Sequence, residues 1–191
     1  ISCKGLGLTS VPAIQNKDAN AVVLYDNALT VVDARQFDGL SKLTRLDLNG
    51  NQLSELDPTL FANLTSLALL YLGNNLITQL DPLIFTATSN LYFLDLSGNQ
   101  LTALEQATFA PIASTLEFLY LAENAIKRVD AVLQDMQHTN LKILTMDGNP
   151  SNCRLAADTY QNPNGSVYCL CAPGFGYAPY AKNEKDRKSV V

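Results

Sequence analysis

The sequence predicts an α/β solenoid, in which short strands from successive repeats lie side by side in one parallel sheet. Asparagines recur along the chain at a nearly constant interval, and apolar residues precede each of them at the same offsets. The composition agrees with this, because 47% of the 191 residues are hydrophobic and 16% are charged. That is enough apolar material for one continuous core.

Six asparagines define the repeat, at intervals of 24 or 25 residues. They are Asn27, Asn51, Asn75, Asn99, Asn124 and Asn149. Apolar residues lie eight, five and three positions before each asparagine, and usually one lies two positions after it; in the third repeat these are Leu67, Leu70, Leu72 and Ile77. The first and sixth repeats match less well, as expected at the ends of a stack.

The spacing of the apolar residues predicts the strands. Residues two apart, such as Leu46 and Leu48, point to the same side of a strand, and the residue between them points to the other side. One short strand cannot bury its own apolar face, so neighbouring repeats must stack at about 4.8 Å per step. We therefore expect six strands in an arc of roughly 24 Å.

The asparagines have a chemical role in this scheme. After each strand the chain turns inward and removes backbone groups from water, and a carboxamide can both donate hydrogen bonds to such groups and accept them. Asparagine at a turn can also be explained by its tolerance of unusual backbone angles. Because six asparagines stand in register, we favour a ladder of hydrogen-bonding side chains.

The second half of each repeat carries a further apolar pair that ends in phenylalanine in four repeats. The pairs are Val32 with Phe37, Leu56 with Phe61, Leu80 with Phe85, and Leu104 with Phe109. Stacked one repeat apart, these rings predict an aromatic spine under the convex side. In the fifth repeat Val129, Leu133 and Met136 have helical spacing instead, which predicts a short helix.

The recurring frame, L-x-x-L-x-L-x-x-N-x-L, resembles that of the leucine-rich repeat family and covers residues 19–150. The resemblance implies a right-handed solenoid with a parallel concave sheet, an irregular convex side with short helical turns, and a disulfide-tied C-terminal cap. It divides the chain into a truncated N-terminal cap at 1–18, six repeats at 19–150, a cysteine-containing cap at 151–181 and a mobile tail at 182–191.

The four cysteines lie near the two ends of the chain. Cys3 precedes a Leu-Thr-x-Val-Pro stretch similar to the end of the N-terminal cap of extracellular leucine-rich repeat proteins, and we expect its partner to lie outside this sequence. A disulfide needs Cα atoms within about 7 Å, so Cys3 cannot reach across the stack. We expect one C-terminal disulfide, Cys153 with Cys169 or Cys171, which implies an oxidising compartment.

The segment around Cys169 and Cys171 allows two interpretations. Residues 164–175 are similar to the second half of an epidermal-growth-factor-like module, but they fit an irregular C-terminal cap as well. We favour the cap. Two acceptor motifs for N-glycosylation, at Asn63 and Asn164, agree with the extracellular location that the resemblance implies, whether secreted or on a cell surface.

The strand residues that do not enter the core line the concave face. One column there is Ala21, Arg45, Leu69, Phe93, Phe118 and Ile143, and the next is Val23, Asp47, Tyr71, Asp95, Tyr120 and Thr145. Exposed apolar and aromatic residues with a charged rim are typical of a protein-binding surface. The candidate ligand-binding residues are Arg45, Asp47, Leu69, Tyr71, Phe93, Asp95, Phe118, Tyr120, Glu123 and Ile143.

The resemblance to extracellular receptors, adhesion proteins and variable lymphocyte receptors implies recognition of a protein or glycan by this face. Two alternatives stay open. The chain could be a structural or adhesive module that forms a homodimer through the same stripe. The stripe could also be covered, either by its residues packing on one another or by the C-terminal cap folding over Phe118 and Ile143.

Several function classes are disfavoured. The single histidine, His138, lies in a connecting segment, and the sequence has neither a nucleophile-elbow motif nor a phosphate-binding loop, so we expect neither catalysis nor a cofactor. Asp47 and Asp95 are two strands and roughly 10 Å apart, too far for paired catalytic carboxylates. Zinc binding by His138 and the three C-terminal cysteines lacks paired short spacings.

Nucleic acid and membranes are also disfavoured as partners. The chain has 13 Lys and Arg against 18 Asp and Glu, for a net charge of −5. That balance supplies no basic patch for phosphate groups. No run approaches the roughly 18 apolar residues that a transmembrane helix needs, so we expect no direct insertion into a membrane.

Overall fold

A computed structural model describes residues 1–127 and 140–150 and the backbone of residues 168–170. In these residues the chain advances along one parallel sheet, with one strand per repeat and strand order equal to chain order. The strands are β1 Ala21–Val23, β2 Arg45–Asp47, β3 Leu69–Tyr71, β4 Phe93–Asp95, β5 Phe118–Tyr120, β6 Ile143–Thr145 and β7 Tyr168–Leu170. The connecting segments include two 3-10 turns, Ala34–Phe37 and Ala110–Ile112, and a one-turn helix, α1 Gln106–Phe109.

The strand register confirms the predicted columns. Phe93 pairs with Phe118, and Asp95 pairs with Tyr120, because every repeat places its strand at the same offset from its asparagine. The central residue of each strand from β1 to β6, such as Leu46 or Leu70, is buried. Each of these six strands therefore contributes one side chain to the core and two to the concave face.

The predicted aromatic spine is also confirmed. Phe37, Phe61 and Phe85 are fully buried beneath the convex side. The ring centroids of Phe61 and Phe85 lie 6.3 Å apart, and those of Phe85 and Phe109 lie 6.2 Å apart. Burying a ring of this size contributes up to about 3 kcal/mol, so the spine stabilises the side of the solenoid that has no sheet.

The asparagines form the predicted hydrogen-bonded ladder. The side-chain oxygen of Asn75 accepts a hydrogen bond from the backbone N–H of Leu53 at 3.1 Å. Its side-chain nitrogen donates to the carbonyl oxygens of Leu48 and Leu72, both at 3.0 Å. Each such side chain therefore links its own repeat to the preceding one. The same pattern recurs at Asn51, Asn99, Asn124 and Asn149.

The N-terminal segment extends the sheet edge. Ser2 forms a parallel bridge to Val23. The backbone N–H of Cys3 donates to the carbonyl of Val23 at 2.8 Å, and the side chain of Asn27 accepts from the backbone N–H of Leu8 at 3.0 Å. The first ladder asparagine thus binds the N-terminal segment as the later ones bind the preceding repeat. Within the described residues Cys3 forms no disulfide.

The sheet departs from the expected six strands, because β7 adds a seventh beyond β6. Its residues follow those of β6 by 25, and Cys169 pairs in register with Leu144. Cys169 and Cys171 stand at the two positions that leucines occupy in the inner repeats, and Gly174 stands where the asparagine would be. The expectation of six strands was wrong because cysteine and glycine replace the residues that define the repeat.

Several predictions lie outside the described residues. These are the helix with Val129, Leu133 and Met136, the location of His138, the disulfide of Cys153 with Cys169 or Cys171, the glycosylation motif at Asn164, and the tail at 182–191. They stay predictions, as does the division of the chain into caps and repeats.

Replacement of Asn75 by alanine tests the ladder. The change leaves the buried N–H of Leu53 without its partner. It also removes one of the two asparagine hydrogen bonds that each of the Leu48 and Leu72 carbonyl oxygens accepts. We expect Asn75→Ala to lower the free energy of unfolding by roughly 2–5 kcal/mol, measured by urea denaturation followed by circular dichroism. Asn90→Ala is the matched control, since exposed Asn90 makes one hydrogen bond, to the Thr65 carbonyl at 2.8 Å. A loss at Asn75 no larger than that at Asn90 would contradict the ladder's role.

The 3-10 turn Ala34–Phe37 begins with a capping box. A side-chain oxygen of Asp33 accepts from the backbone N–H of Arg35 at 2.8 Å, and the side chain of Gln36 accepts from the backbone N–H of Asp33 at 2.8 Å. The guanidinium of Arg35 adds a 2.6 Å contact to Asp33. This side-chain hydrogen bond, followed by the backbone one, lowers the pKa of Asp33 to about 2.

This lowered pKa predicts a pH dependence with a definite sign. Because the folded-state pKa lies below the usual 3.8, the contribution of the Asp33 carboxylate to stability is present above that value and is lost as the pH falls toward 2. We expect Arg35→Gln to raise the pKa of Asp33 only part of the way to 3.8, since the backbone N–H still donates. A carboxyl-carbon NMR titration measures both values; a wild-type Asp33 titrating at 3.8 would contradict the capping geometry.

Candidate binding surface

Four side chains form a continuous aromatic stripe on the concave face: Tyr71, Phe93, Phe118 and Tyr120. The ring of Phe93 is central, with centroid distances of 4.7 Å to Tyr71, 5.2 Å to Tyr120 and 6.1 Å to Phe118. All four side chains are partly exposed. The stripe is contiguous because parallel pairing places these residues on neighbouring strands and on the same face.

Leucine and isoleucine extend the stripe along the first column. Leu69 pairs in register with Phe93, Ile143 pairs with Phe118, and both are partly exposed. One further aromatic residue that was not among the predicted site residues extends the stripe: Tyr92 is 38% exposed and meets Phe118 edge-on at 6.4 Å. Tyr92 directly precedes β4, and reading a third column just before the strands would have revealed it.

Arg45 and Asp47 form an ion pair at one end of the stripe. The guanidinium lies 3.0 Å from the Asp47 carboxylate and 4.7 Å from the centroid of the Tyr71 ring. Asp47 is 5% exposed, so its carboxylate is engaged within the protein instead of standing free at a rim. Burial raises the pKa of the Tyr71 hydroxyl, which therefore stays neutral at physiological pH.

Asp95 stands in the middle of the second column, between Tyr71 and Tyr120. One carboxylate oxygen accepts hydrogen bonds from the backbone N–H and the hydroxyl of Ser97, at 3.0 and 2.6 Å. The other oxygen is 3.5 Å from the side-chain nitrogen of Asn49, across Gly73. A Cβ at Gly73 would lie 3.0 Å from this oxygen and 3.2 Å from the side-chain oxygen of Asn49, so the glycine allows both side chains to pack closely on the backbone.

Glu123 lies beyond the strand, in a column of residues with left-handed backbone. Each member directly precedes a ladder asparagine and has a positive φ; the column is Asp26, Gly50, Asn74, Gly98, Glu123 and Gly148. Glycine alternates with a polar residue from one repeat to the next. The carboxylate of Glu123 is folded over Gly148, where a Cβ would come within 2.5 Å of it. Glu123 therefore belongs to the turn and is separate from the stripe.

A double substitution tests this alternation. At Gly98 φ is +62°, and an added Cβ would lie 2.5 Å from the side-chain oxygen of Asn74. We expect Gly98→Ala to cost about 1–3 kcal/mol in the free energy of unfolding, and Asn74→Gly to recover part of that loss by removing the clash. Urea denaturation of the two single variants and the double variant measures this coupling. Strictly additive effects would contradict the packing of Asn74 on Gly98.

The structure thus separates the predicted site residues into groups. Tyr71, Phe93, Asp95, Phe118 and Tyr120 come together, flanked by Leu69 and Ile143, while Arg45 and Asp47 are paired and Glu123 lies at the turn. Asn63, the glycosylation candidate, is exposed outside the sheet, and its side chain donates to Asp38 at 3.1 Å. Among the described residues no group of three His, Cys, Asp or Glu side chains is arranged to hold a metal ion.

Comparison with known proteins establishes the family. The family profile described as "Leucine rich repeat" matches residues 20–77, 41–101, 66–126 and 89–150, which together cover more than half of the chain. The chain belongs to the leucine-rich repeat family. A search of curated proteins by sequence finds no match.

Several solved structures share the fold. A chain of the octameric complex of Latrophilin 3, Unc5D and FLRT2 (LRR) aligns with a TM-score of 0.74 at 24% identity, over 92% of this chain and 56% of that one. A chain of the Drosophila Toll–Spatzle complex aligns with a TM-score of 0.70 at 22% identity, over 85% and 22%. A chain of the TLR13–ssRNA13 complex aligns with a TM-score of 0.69 at 30% identity, over 77% and 21%.

The present chain aligns with only part of each of these structures. The present chain spans about half the length of the first of these structures and about a fifth of the other two. Two of these structures are complexes with protein partners and the third is a complex with RNA, so the fold alone does not decide the class of ligand. No helix in the part of the chain that the structure describes is long and apolar enough to cross a membrane.

Proposed function

We propose that this chain is a non-enzymatic recognition module that binds a protein through the concave face of its sheet. The observation that carries the proposal is the aromatic stripe, whose four rings stay partly exposed on a face that strand geometry turns away from the core. Contiguous exposed aromatic residues are typical of binding hot spots, where rigid rings exclude water from the contact.

The concave face is the preferred surface because its apolar residues are contiguous. Elsewhere in the described residues the most exposed apolar side chains are Val31 at 70%, Leu6 at 65% and Leu83 at 62%, which lie far apart along the chain and outside the strands. Single exposed apolar residues are ordinary on soluble proteins. Nor does β7 cover the stripe; it pairs alongside β6 and lengthens the sheet.

The charge of the face supports a protein ligand over RNA or DNA. Asp95 lies inside the stripe, and the guanidinium of Arg45 is already neutralised by Asp47. Phosphate backbones bind where unpaired Lys and Arg residues cluster, and the aromatic stripe offers a carboxylate instead. Protein partners of the leucine-rich repeat complexes with Unc5D and with Spatzle favour the same class. We infer an extracellular location by the same analogy.

Paired substitutions on the two sides of the solenoid test the proposal. The wild-type chain is screened against an array of extracellular protein domains and an array of glycans. For ligands found there, we expect the variant with Phe93→Ser and Phe118→Ser to bind at least about 30-fold more weakly, as loss of hot-spot residues does. The matched control carries Val31→Ser and Leu83→Ser and should bind like the wild type.

The outcome separates the possible occupants of the face. Circular dichroism must show the melting temperature of both variants to be close to that of the wild type. If the concave substitutions leave protein binding unchanged, the proposal is overturned. If they abolish binding to a glycan, the ligand of this face is a glycan. Sedimentation velocity tests the remaining alternative, since a wild-type dimer that the concave substitutions dissociate would mean that a second copy occupies the stripe.

A further inference from the structure

Cations already lie over aromatic rings at three places in this structure. Lys4 lies 4.3 Å from the centroid of Tyr25, Arg45 lies 4.7 Å from that of Tyr71, and Lys142 lies 5.9 Å from that of Phe118. A ring attracts a cation through the negative potential of its face. Among the described residues Tyr120 has no such cation.

The strand pairs β2/β3 and β4/β5 have the same residues at the second and third positions and differ at the first. In β2/β3, Asp47 pairs in register with Tyr71, and in β4/β5, Asp95 pairs with Tyr120. Two residues before the aspartate, β2 has Arg45 and β4 has Phe93. The first aspartate–tyrosine pair therefore contains its own guanidinium, and the second has an aromatic ring in that place.

Asp95 is consequently a carboxylate without a cationic partner in the part of the chain that the structure describes. The oxygen bonded to Ser97 is held at 2.6 and 3.0 Å, but the other oxygen has only the 3.5 Å contact with Asn49. Asp95 is itself partly exposed. Around the carboxylate stand the partly exposed rings of Tyr71, Phe93 and Tyr120.

We propose that the protein ligand places an arginine side chain against Asp95 and Tyr120 from the solvent side of the stripe, where its guanidinium bonds to the Asp95 carboxylate and contacts the Tyr120 ring. This inference rests on the proposed function and specifies the chemistry of its ligand. Arginine fits because its planar guanidinium can donate to a carboxylate and stack on a ring at the same time. The negative charge of the chain attracts such a ligand from a distance.

A small arginine probe tests the site without knowledge of the ligand. The full chain, labelled with ¹⁵N, is titrated with N-acetyl-arginine N-methylamide, and N-acetyl-citrulline N-methylamide serves as the neutral probe of nearly the same shape. We expect the arginine probe to shift the amide signals of Asp95 and Tyr120 with a Kd of about 1–10 mM, a weak affinity suited to one side chain. The citrulline probe should bind at least about fivefold more weakly, since its group carries no charge.

Variants assign the effect to Asp95. We expect Asp95→Asn to weaken the arginine probe by about tenfold, as loss of a charge-assisted hydrogen bond does. Glu55→Gln is the matched control, because Glu55 is an exposed carboxylate outside the sheet and should leave the affinity unchanged. The amide spectrum of each variant without probe verifies that the fold is kept.

The results distinguish this inference from the function on which it rests. Equal affinity for the two probes, or unchanged arginine affinity in Asp95→Asn, overturns the arginine site. The domain-array experiment is independent of that result, because Phe93→Ser and Phe118→Ser leave Asp95 in place. Stripe-dependent protein binding together with a negative probe titration would mean that the face recognises its ligand without an arginine.

Discussion

The hydrogen-bonded carboxamide of each ladder asparagine is the constraint on which the rest of this structure depends. Strands of three residues leave much of each repeat's backbone to turns, and the turn after the strand carries its polar groups inward. One side chain in each repeat bonds to the N–H and carbonyl groups of two neighbouring repeats and replaces the water that they lose. With backbone polarity satisfied there, the core needs only leucines, and the concave residues are free to vary.

The array is built of repeat pairs as well as of single repeats. Glycine and a polar residue alternate in the left-handed column, and aspartate and tyrosine alternate on the concave face from Asp47 to Tyr120. The first alternation has a steric cause, because each polar side chain folds over the glycine that follows it. The second creates two similar aspartate–tyrosine pairs, of which only the first includes an arginine. Neighbouring repeats are therefore not interchangeable, even where their leucines are identical.

The sequence predicts those features of the structure that depend on residues recurring at the repeat interval. The register of the columns, the ladder and the phenylalanine spine all follow from residues at constant offsets. The contacts that an individual side chain makes do not follow from its position in the repeat. Asp47 is buried because Arg45 folds back onto it. Glu123 lies over Gly148 because its backbone is left-handed. The strand β7 escaped prediction for another reason, since Cys169 stands where the period places a leucine.

Binding specificity on such a face must come from its few polar groups. An aromatic stripe gains free energy from burial with little dependence on direction, so it would accept many apolar surfaces. Asp95 differs, because Ser97 fixes one of its oxygens, so that the carboxylate is oriented before any ligand arrives. A preorganised group loses little entropy on binding, and a carboxylate covered without a cationic partner would be costly. The same residue can thus favour a ligand with a matching cation and reject an apolar one, which the rings alone cannot do.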